Sequence, residues 1–178
     1  MPTKPPSQSE SPPTDPDSLQ GEQKLRYFID RCHERAADPD DNEWSMTLAP
    51  TLKVHSTSSS PTQKVTFTFQ VQPPHLNSLG NMHGGCTATL FDLCTSSALF
   101  LVSRPGFWNY LGVSRCLNVT YLKPLPVGTR VLVECEVVSI GRRLAHLRGV
   151  ICDDEGLGVV YATCEHTKVN TDPDVAKV

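Results

Sequence analysis

The stretch Asn77–Val102, NSLGNMHGGCTATLFDLCTSSALFLV, decides how the chain is read. A polar loop leads into His83-Gly84-Gly85, and from Gly84 nineteen residues pass without a helix breaker. Leu90, Phe91, Leu93, Cys94, Leu99, Phe100, Leu101 and Val102 make the run apolar, and Asp92 is its only charge. A helix apolar almost all round is a buried helix. At 1.5 Å per residue it measures roughly 28 Å, close to membrane-spanning length. The mid-helix carboxylate, the hydroxyls of Thr87, Thr89, Thr95, Ser96 and Ser97, and the lack of a basic flank argue against a span. The stretch therefore predicts a helix enclosed by a sheet, with one carboxylate where a carboxylate is costly.

Strand patterns lie on both sides of it. Downstream, Gly112–Leu122, Arg130–Ile140, Leu144–Cys152 and Gly158–Val169 read as four strands. Short turns join them, at Lys123–Gly128, Gly141–Arg143 and Asp153–Gly156, which predicts an antiparallel meander. Before them, Arg104-Pro105-Gly106 breaks the chain, and Phe107, Trp108 and Tyr110 occupy a loop. Those aromatics either line a ligand mouth or cover apolar surface. Upstream, Val65, Phe67, Phe69 and Val71 alternate with polar residues, as a half-buried strand does. Met46–His55 reads as an edge strand interrupted by Pro50. Gln23–Ala37 reads as a helix, with Leu25, Phe28, Ile29 and Cys32 on one face and Asp38–Asn42 as its stop. Helix, two strands, long buried helix, four strands make an α+β domain with the helix laid on one curved antiparallel sheet. The domain is expected over residues 23–170. A Pro/Ser-rich tail at 1–22, expected to be disordered, precedes it, and a short tail at 171–178 follows.

Composition narrows the function. The 178 residues suffice for one core, and a net charge of −3 with 20% charged residues gives no reason to expect a nucleic acid or anionic membrane partner. Seven cysteines, odd in number and without a C-x-x-C, read as core thiols of a reducing compartment and so of a cytoplasmic protein. His33, His55, His75, His83, His146 and His166 have no ligand spacing with them, so no metal is expected. There is no G-x-S-x-G elbow, phosphate loop or dinucleotide fingerprint, and no cofactor is expected. The N-terminus lacks an apolar signal core, and Glu10, Asp15 and Asp17 are unlike a mitochondrial presequence. The last residues, Val175–Val178, are not a peroxisomal address.

Two features carry chemistry. Gly84 and Gly85 open the helix, where free N–H groups and a partial positive charge can hold an oxyanion. The same glycines would also serve a plain tight turn. Asp92 is the lone acid of the helix, where desolvation would favour its protonated form and strengthen it as a base. The bland alternative is an acid satisfied by backbone donors or by Arg115. Ser96 and Ser97 either touch a water or bond back to the helix.

Asn77-Ser78-Leu79-Gly80-Asn81-Met82-His83-Gly84-Gly85, with Asp92 eight residues after Gly84, resembles the signature of the hotdog-fold acyl-CoA thioesterases. The PaaI-like group of the phenylacetate pathway, which includes small eukaryotic acyl-CoA thioesterases, is the most similar. Leu111-Gly112-Val113-Ser114, Asn118-Val119-Thr120-Tyr121 and Glu165-His166-Thr167-Lys168 extend the resemblance, which covers about residues 24–169. It implies a hotdog fold and hydrolysis of an acyl-CoA or other acyl thioester. It implies that Asn77 polarises the thioester carbonyl, that the Gly84 N–H is an oxyanion donor with Gly85 beside it, that Asp92 is base or nucleophile, that Ser114 holds the water, and that His83 shapes the loop. Arg142, Arg143 and Arg148 are then candidates for the phosphates of coenzyme A. Cys86, Phe91 and the loop at Phe107 depart from the pattern and bear on the acyl group. Release of a polyketide or fatty chain from a carrier protein, a hotdog dehydratase with His83 as its histidine, and an inactive acyl-binding protein are the competing functions.

The spacing itself predicts an oligomer. Gly84 and Asp92 lie about 12 Å apart along one helix, so one carbonyl carbon cannot sit beside both groups of one chain. Two helices packed antiparallel about a two-fold axis would bring the start of one to the middle of the other. The resemblance implies the same homodimer, often doubled into a tetramer.

Overall fold

The computed structural model describes residues 18–173. The first helix, α1 (Gly21–Ala37), buries Leu25, Ile29 and Cys32. Leu19 is also buried, so the packed chain begins slightly before the expected boundary at 23. At the other end Asn170 and Asp172 are buried, and the Asp172 carboxylate accepts from the N–H groups of Asn109 and Tyr110. The expected disorder of residues 1–17, and the last residues of the C-terminal tail, lie outside the described residues.

The strand expected over Met46–His55 is two elements. Trp44–Thr51 is a 3₁₀ helix that buries Met46, Leu48 and Ala49, and the first strand, β1, spans Lys53–Ser58. Met46 and Leu48 mimic a strand's alternation, while Pro50 fixes φ and removes a ladder donor. The remaining strands are β2 (Lys64–Gln70), β3 (Val113–Tyr121), β4 (Arg130–Ile140), β5 (Leu144–Asp153) and β6 (Val160–Val169). Between β2 and β3 runs α2 (Gly84–Ala98), closed by one 3₁₀ turn at Leu99–Leu101.

All pairings are antiparallel, in the order β1-β2-β4-β5-β6-β3. The expected four-strand meander is thus corrected. Strands β4, β5 and β6 form one, but β3 pairs with β6 at the far edge and β2 takes the place beside β4. The Pro-containing link after β3 is a crossover of about 14 Å past two strands, not a hairpin turn. Register shifts in β3 and β4 mark bulges, which bend a sheet.

The sheet curves round α2 as expected of a hotdog fold. Val65, Phe67 and Phe69 of β2, Val131 and Val133 of β4, and Leu147 and Ile151 of β5 pack under Leu90, Phe91 and Cys94 of the helix. Closest approach falls at Gly149, where an added Cβ would stand 2.7 Å from the Phe91 ring. Trp108 is fully buried with its indole N–H on the Gly141 carbonyl at 2.8 Å, so the aromatic loop closes the core there while Tyr110 stays exposed.

The helix is not enclosed all round. Thr87, Leu90, Phe91, Cys94, Thr95 and Ala98 face the sheet, while Gly85, Thr89, Asp92 and Ser96 lie on the side it leaves uncovered. The Asp92 side chain is 45% exposed, so the desolvated acid expected from the sequence is not what a single chain presents. Glycine, cysteine, alanine, threonine and serine on the open face carry too little polarity to show a 3.6-residue period. All seven cysteines are free. Among the described residues no helix is long and apolar enough to cross a membrane.

Candidate active site

The loop before α2 is folded around one amide. The Asn77 Oδ1 accepts from the N–H groups of Leu79 at 2.9 Å and Asn81 at 3.2 Å. Both bonds use the oxygen, which leaves Nδ2 as the end that can donate elsewhere. His83 is the N-cap of α2, and its Nδ1 accepts the Gly85 N–H at 2.9 Å. Gly85 is therefore occupied within the chain. The Gly84 N–H, at the first helical position, has no acceptor among the described residues. The Tyr121 hydroxyl donates to the Gly84 carbonyl at 2.8 Å and pins this turn to the end of β3. Asn77 and Gly84 line one cleft of about 460 Å³, with Met82, Tyr121, Lys123 and Leu125 among its walls.

Asp92 and Ser114 lie elsewhere. Two turns along α2 the Ser114 hydroxyl donates to Asp92 Oδ1 at 2.6 Å. Neither residue lines the Asn77 cleft. The chain thus pairs Asn77 with Gly84 and Asp92 with Ser114, and keeps the pairs apart. Arg115 is exposed and makes no bond to Asp92 among the described residues. Ser97 bonds back to the Leu93 carbonyl, whereas Ser96 accepts from Lys168. Arg142 and Arg143 stand exposed on the β4–β5 turn, at the end of the sheet where Val113 and Leu144 both pair with Val169. That end is nearer Ser114 than the cleft. Arg148 is held by Glu165 at 2.9 Å.

His166 and Lys168, which the sequence reading carried only within the Glu165–Lys168 string and without a role, also belong to this site. Both point from β6 toward α2 and are buried. The alternation of Ala162, Cys164, His166 and Lys168 in the inward phase was the available signal. Thr95 gives its one proton to the Phe91 carbonyl at 2.6 Å, so its oxygen accepts from His166 Nδ1 at 2.7 Å. The network therefore puts the imidazole proton on Nδ1. Nε2 is left bare and buried, without a hydrogen-bond donor among the described residues, 3.4 Å from Asp92 Oδ1. Burial, helped by the Lys168 charge, pushes the His166 pKa down to about 4 against the pull of Asp92. Burial also holds the Lys168 ammonium below its ordinary value, again opposed by Asp92.

A stability profile follows with a definite sign. Unfolded His166 takes up its proton near 6.5, the folded residue only near 4. Between those values the unfolded chain binds the extra proton, so stability rises with pH across that window and is lost, by roughly 3 kcal/mol at most, as the pH falls from 6.5 to about 4. Urea denaturation at a series of pH values should show this loss in the wild type and not in His166→Gln. Parallel profiles would remove His166 as its source.

Residues 79–160 match the family described as the Thioesterase superfamily. The acyl-coenzyme A thioesterase 13 of Mus musculus is 33% identical over 116 residues, 65% of this chain and 79% of the mouse protein. The crystal structure of zebrafish thioesterase superfamily member 2 has a TM-score of 0.67 at 28% identity, over 86% of this chain and 99% of that one. The E. coli PaaI protein from the phenylacetic acid degradation operon shares the fold, with a TM-score of 0.60 at 15% identity over 82% and 92% of the two chains.

Proposed function

This chain belongs to the thioesterase superfamily, and from that premise we propose that it hydrolyses acyl-CoA thioesters to a free acid and coenzyme A. The observation that carries the reading is the Ser114–Asp92 hydrogen bond on the open face of α2, the same helix whose first N–H has no acceptor among the described residues. Water attacks the carbonyl carbon, and Asp92 takes its proton while Ser114 holds the pair in place. The Gly84 N–H and the Asn77 amide stabilise the oxyanion, and His83 fixes the turn that presents them. The C–S bond then breaks, and the thiolate recovers the proton from Asp92. Arg142 and Arg143 supply charge for the phosphates of coenzyme A.

The two halves of this machinery belong to different subunits. The open face of α2 and the exposed edge strand β3 adjoin, and both carry apolar surface at Leu93, Val113 and Tyr121. A second copy covering them about a two-fold axis places Asp92 and Ser114 of one chain at the Asn77 cleft of the other. The working enzyme is then a homodimer or a dimer of dimers. A cytoplasmic location fits its seven free thiols.

The test follows free thiol from a panel of aryl, short-chain and long-chain acyl-CoAs, with water loss from a 3-hydroxyacyl-CoA measured in parallel. Thiol release is expected. Water loss without thiol release would make the protein a dehydratase, and binding without either would make it an acyl-binding protein. Activity confined to acyl carrier protein thioesters would move the substrate from coenzyme A to the carrier.

A further inference from the structure

Lys168 is the one buried Lys or Arg side chain among the described residues, at 5% exposure. An ammonium taken out of water needs partners, and here they are hydroxyls. Its Nζ donates to Ser96 Oγ at 2.7 Å and lies 3.4 Å from Ser114 Oγ. The contact leads straight to the acid, because Ser114 is the residue bonded to Asp92 Oδ1 at 2.6 Å. Ser114 and Lys168 are also register partners across β3 and β6, so the backbone ladder fixes their approach.

The chemistry of the three groups makes the chain of bonds directional. An ammonium has three protons and no lone pair, so both serine oxygens can only accept from it. Ser114 has one proton, and with Lys168 on its acceptor side that proton goes to Asp92. A neutral amine would have a lone pair, and either serine could then turn its proton back toward the nitrogen. We propose that Lys168 is a positioning residue for hydrolysis, whose ammonium locks the Ser114 proton onto Asp92 Oδ1 and leaves Oδ2 to take the proton of the attacking water. The inference rests on the reading that Asp92 activates that water.

Among the described residues the titratable groups around Lys168 are few. Asp92 faces it from α2, and His166 and Cys164 share the inward side of β6. β3 and β5 place Ser114 and Ala145 opposite it. The Cys164 thiol is pushed by burial up to about 12, and the exposed Cys116 thiol on β3 is removed by using Cys116→Ser as the background for pH work. The ammonium is lost as pH rises through a Lys168 pKa that burial holds below 10.5.

The experiment is steady-state hydrolysis of the best acyl-CoA by Lys168→Met, Ser114→Ala and the double variant, with pH profiles of kcat. Lys168→Met is expected to lower kcat about tenfold or more with KM within about twofold, and to cost less than about twofold once Ser114 is alanine. The parent kcat is expected to fall on an alkaline limb that Ser114→Ala lacks. That comparison needs no Lys168 variant and decides the matter alone should Lys168→Met fail to fold. Full kcat in folded Lys168→Met, an equal loss in the Ser114→Ala background, or a parent profile flat to pH 10.5 each overturn the proposal. Asp92→Asn separates the two readings. If it retains wild-type hydrolysis, the base assignment fails. If it is inactive while Lys168→Met keeps full kcat, only the role of Lys168 fails.

Discussion

Asp92→Asn is expected to lower kcat by about a hundredfold or more, the scale of losing a positioned general base, with the fold intact. The substitution keeps size and shape and removes only the capacity to take a proton. The Ser114 hydroxyl can still donate to the amide oxygen, in the place it now gives to Asp92 Oδ1 at 2.6 Å. His166 Nε2, which has no hydrogen-bond partner among the described residues, lies 3.4 Å from that same oxygen, which stays an acceptor in the amide. The contacts of that oxygen keep their kind, so thermal stability should change little. A melting temperature close to the wild type, with hydrolysis nearly abolished, is the expected pair of results. Near-wild-type turnover by the folded variant would take Asp92 out of the mechanism.

Mixing two dead variants is expected to restore activity. Asn77→Ala disables the oxyanion cleft and Asp92→Asn the base, and each homodimer carries its defect in both sites. In a mixed dimer with shared sites, one site collects both defects and the other has none. Random pairing makes half of the dimers mixed, so about a quarter of wild-type activity should return after co-expression or refolding together. The structural ground is the separation within one chain. Gly84 and Asp92 stand about 12 Å apart along α2, and Asp92 and Ser114 do not line the cleft that Asn77 and Gly84 share. Proven subunit exchange with no recovered activity would mean that both groups act from one chain.

Much of this site was legible in the amino-acid order because its parts are local. Asn77, His83, Gly84 and Asp92 lie within sixteen residues of sequence, and a loop, a cap and two helical turns fix their relation. Asn77, His83 and Ser114 took their roles only from resemblance, since a loop amide, a capping histidine or a strand serine has no catalytic signature of its own. His166 and Lys168 sit more than seventy residues after Asp92 and reach it only through the pairing of β6 with β3. Nothing local marks Gly149, where an added Cβ would meet the Phe91 ring of α2.

The sequence by itself determined the long helix and most of the strands around it, because period and breaker residues act over a few positions; it misread Met46–Thr51, a 3₁₀ helix whose apolar residues alternate as a strand's do. It also determined that one acid rides on that helix. Only the tertiary structure decided the strand order, since β3 beside β6 and β3 beside β4 call for the same strand lengths and patterns. It decided as well that Asp92 is half exposed. Burial depends on what covers a helix from outside its own segment, and the weakly polar face of α2 gave no sign that the sheet covers one side alone.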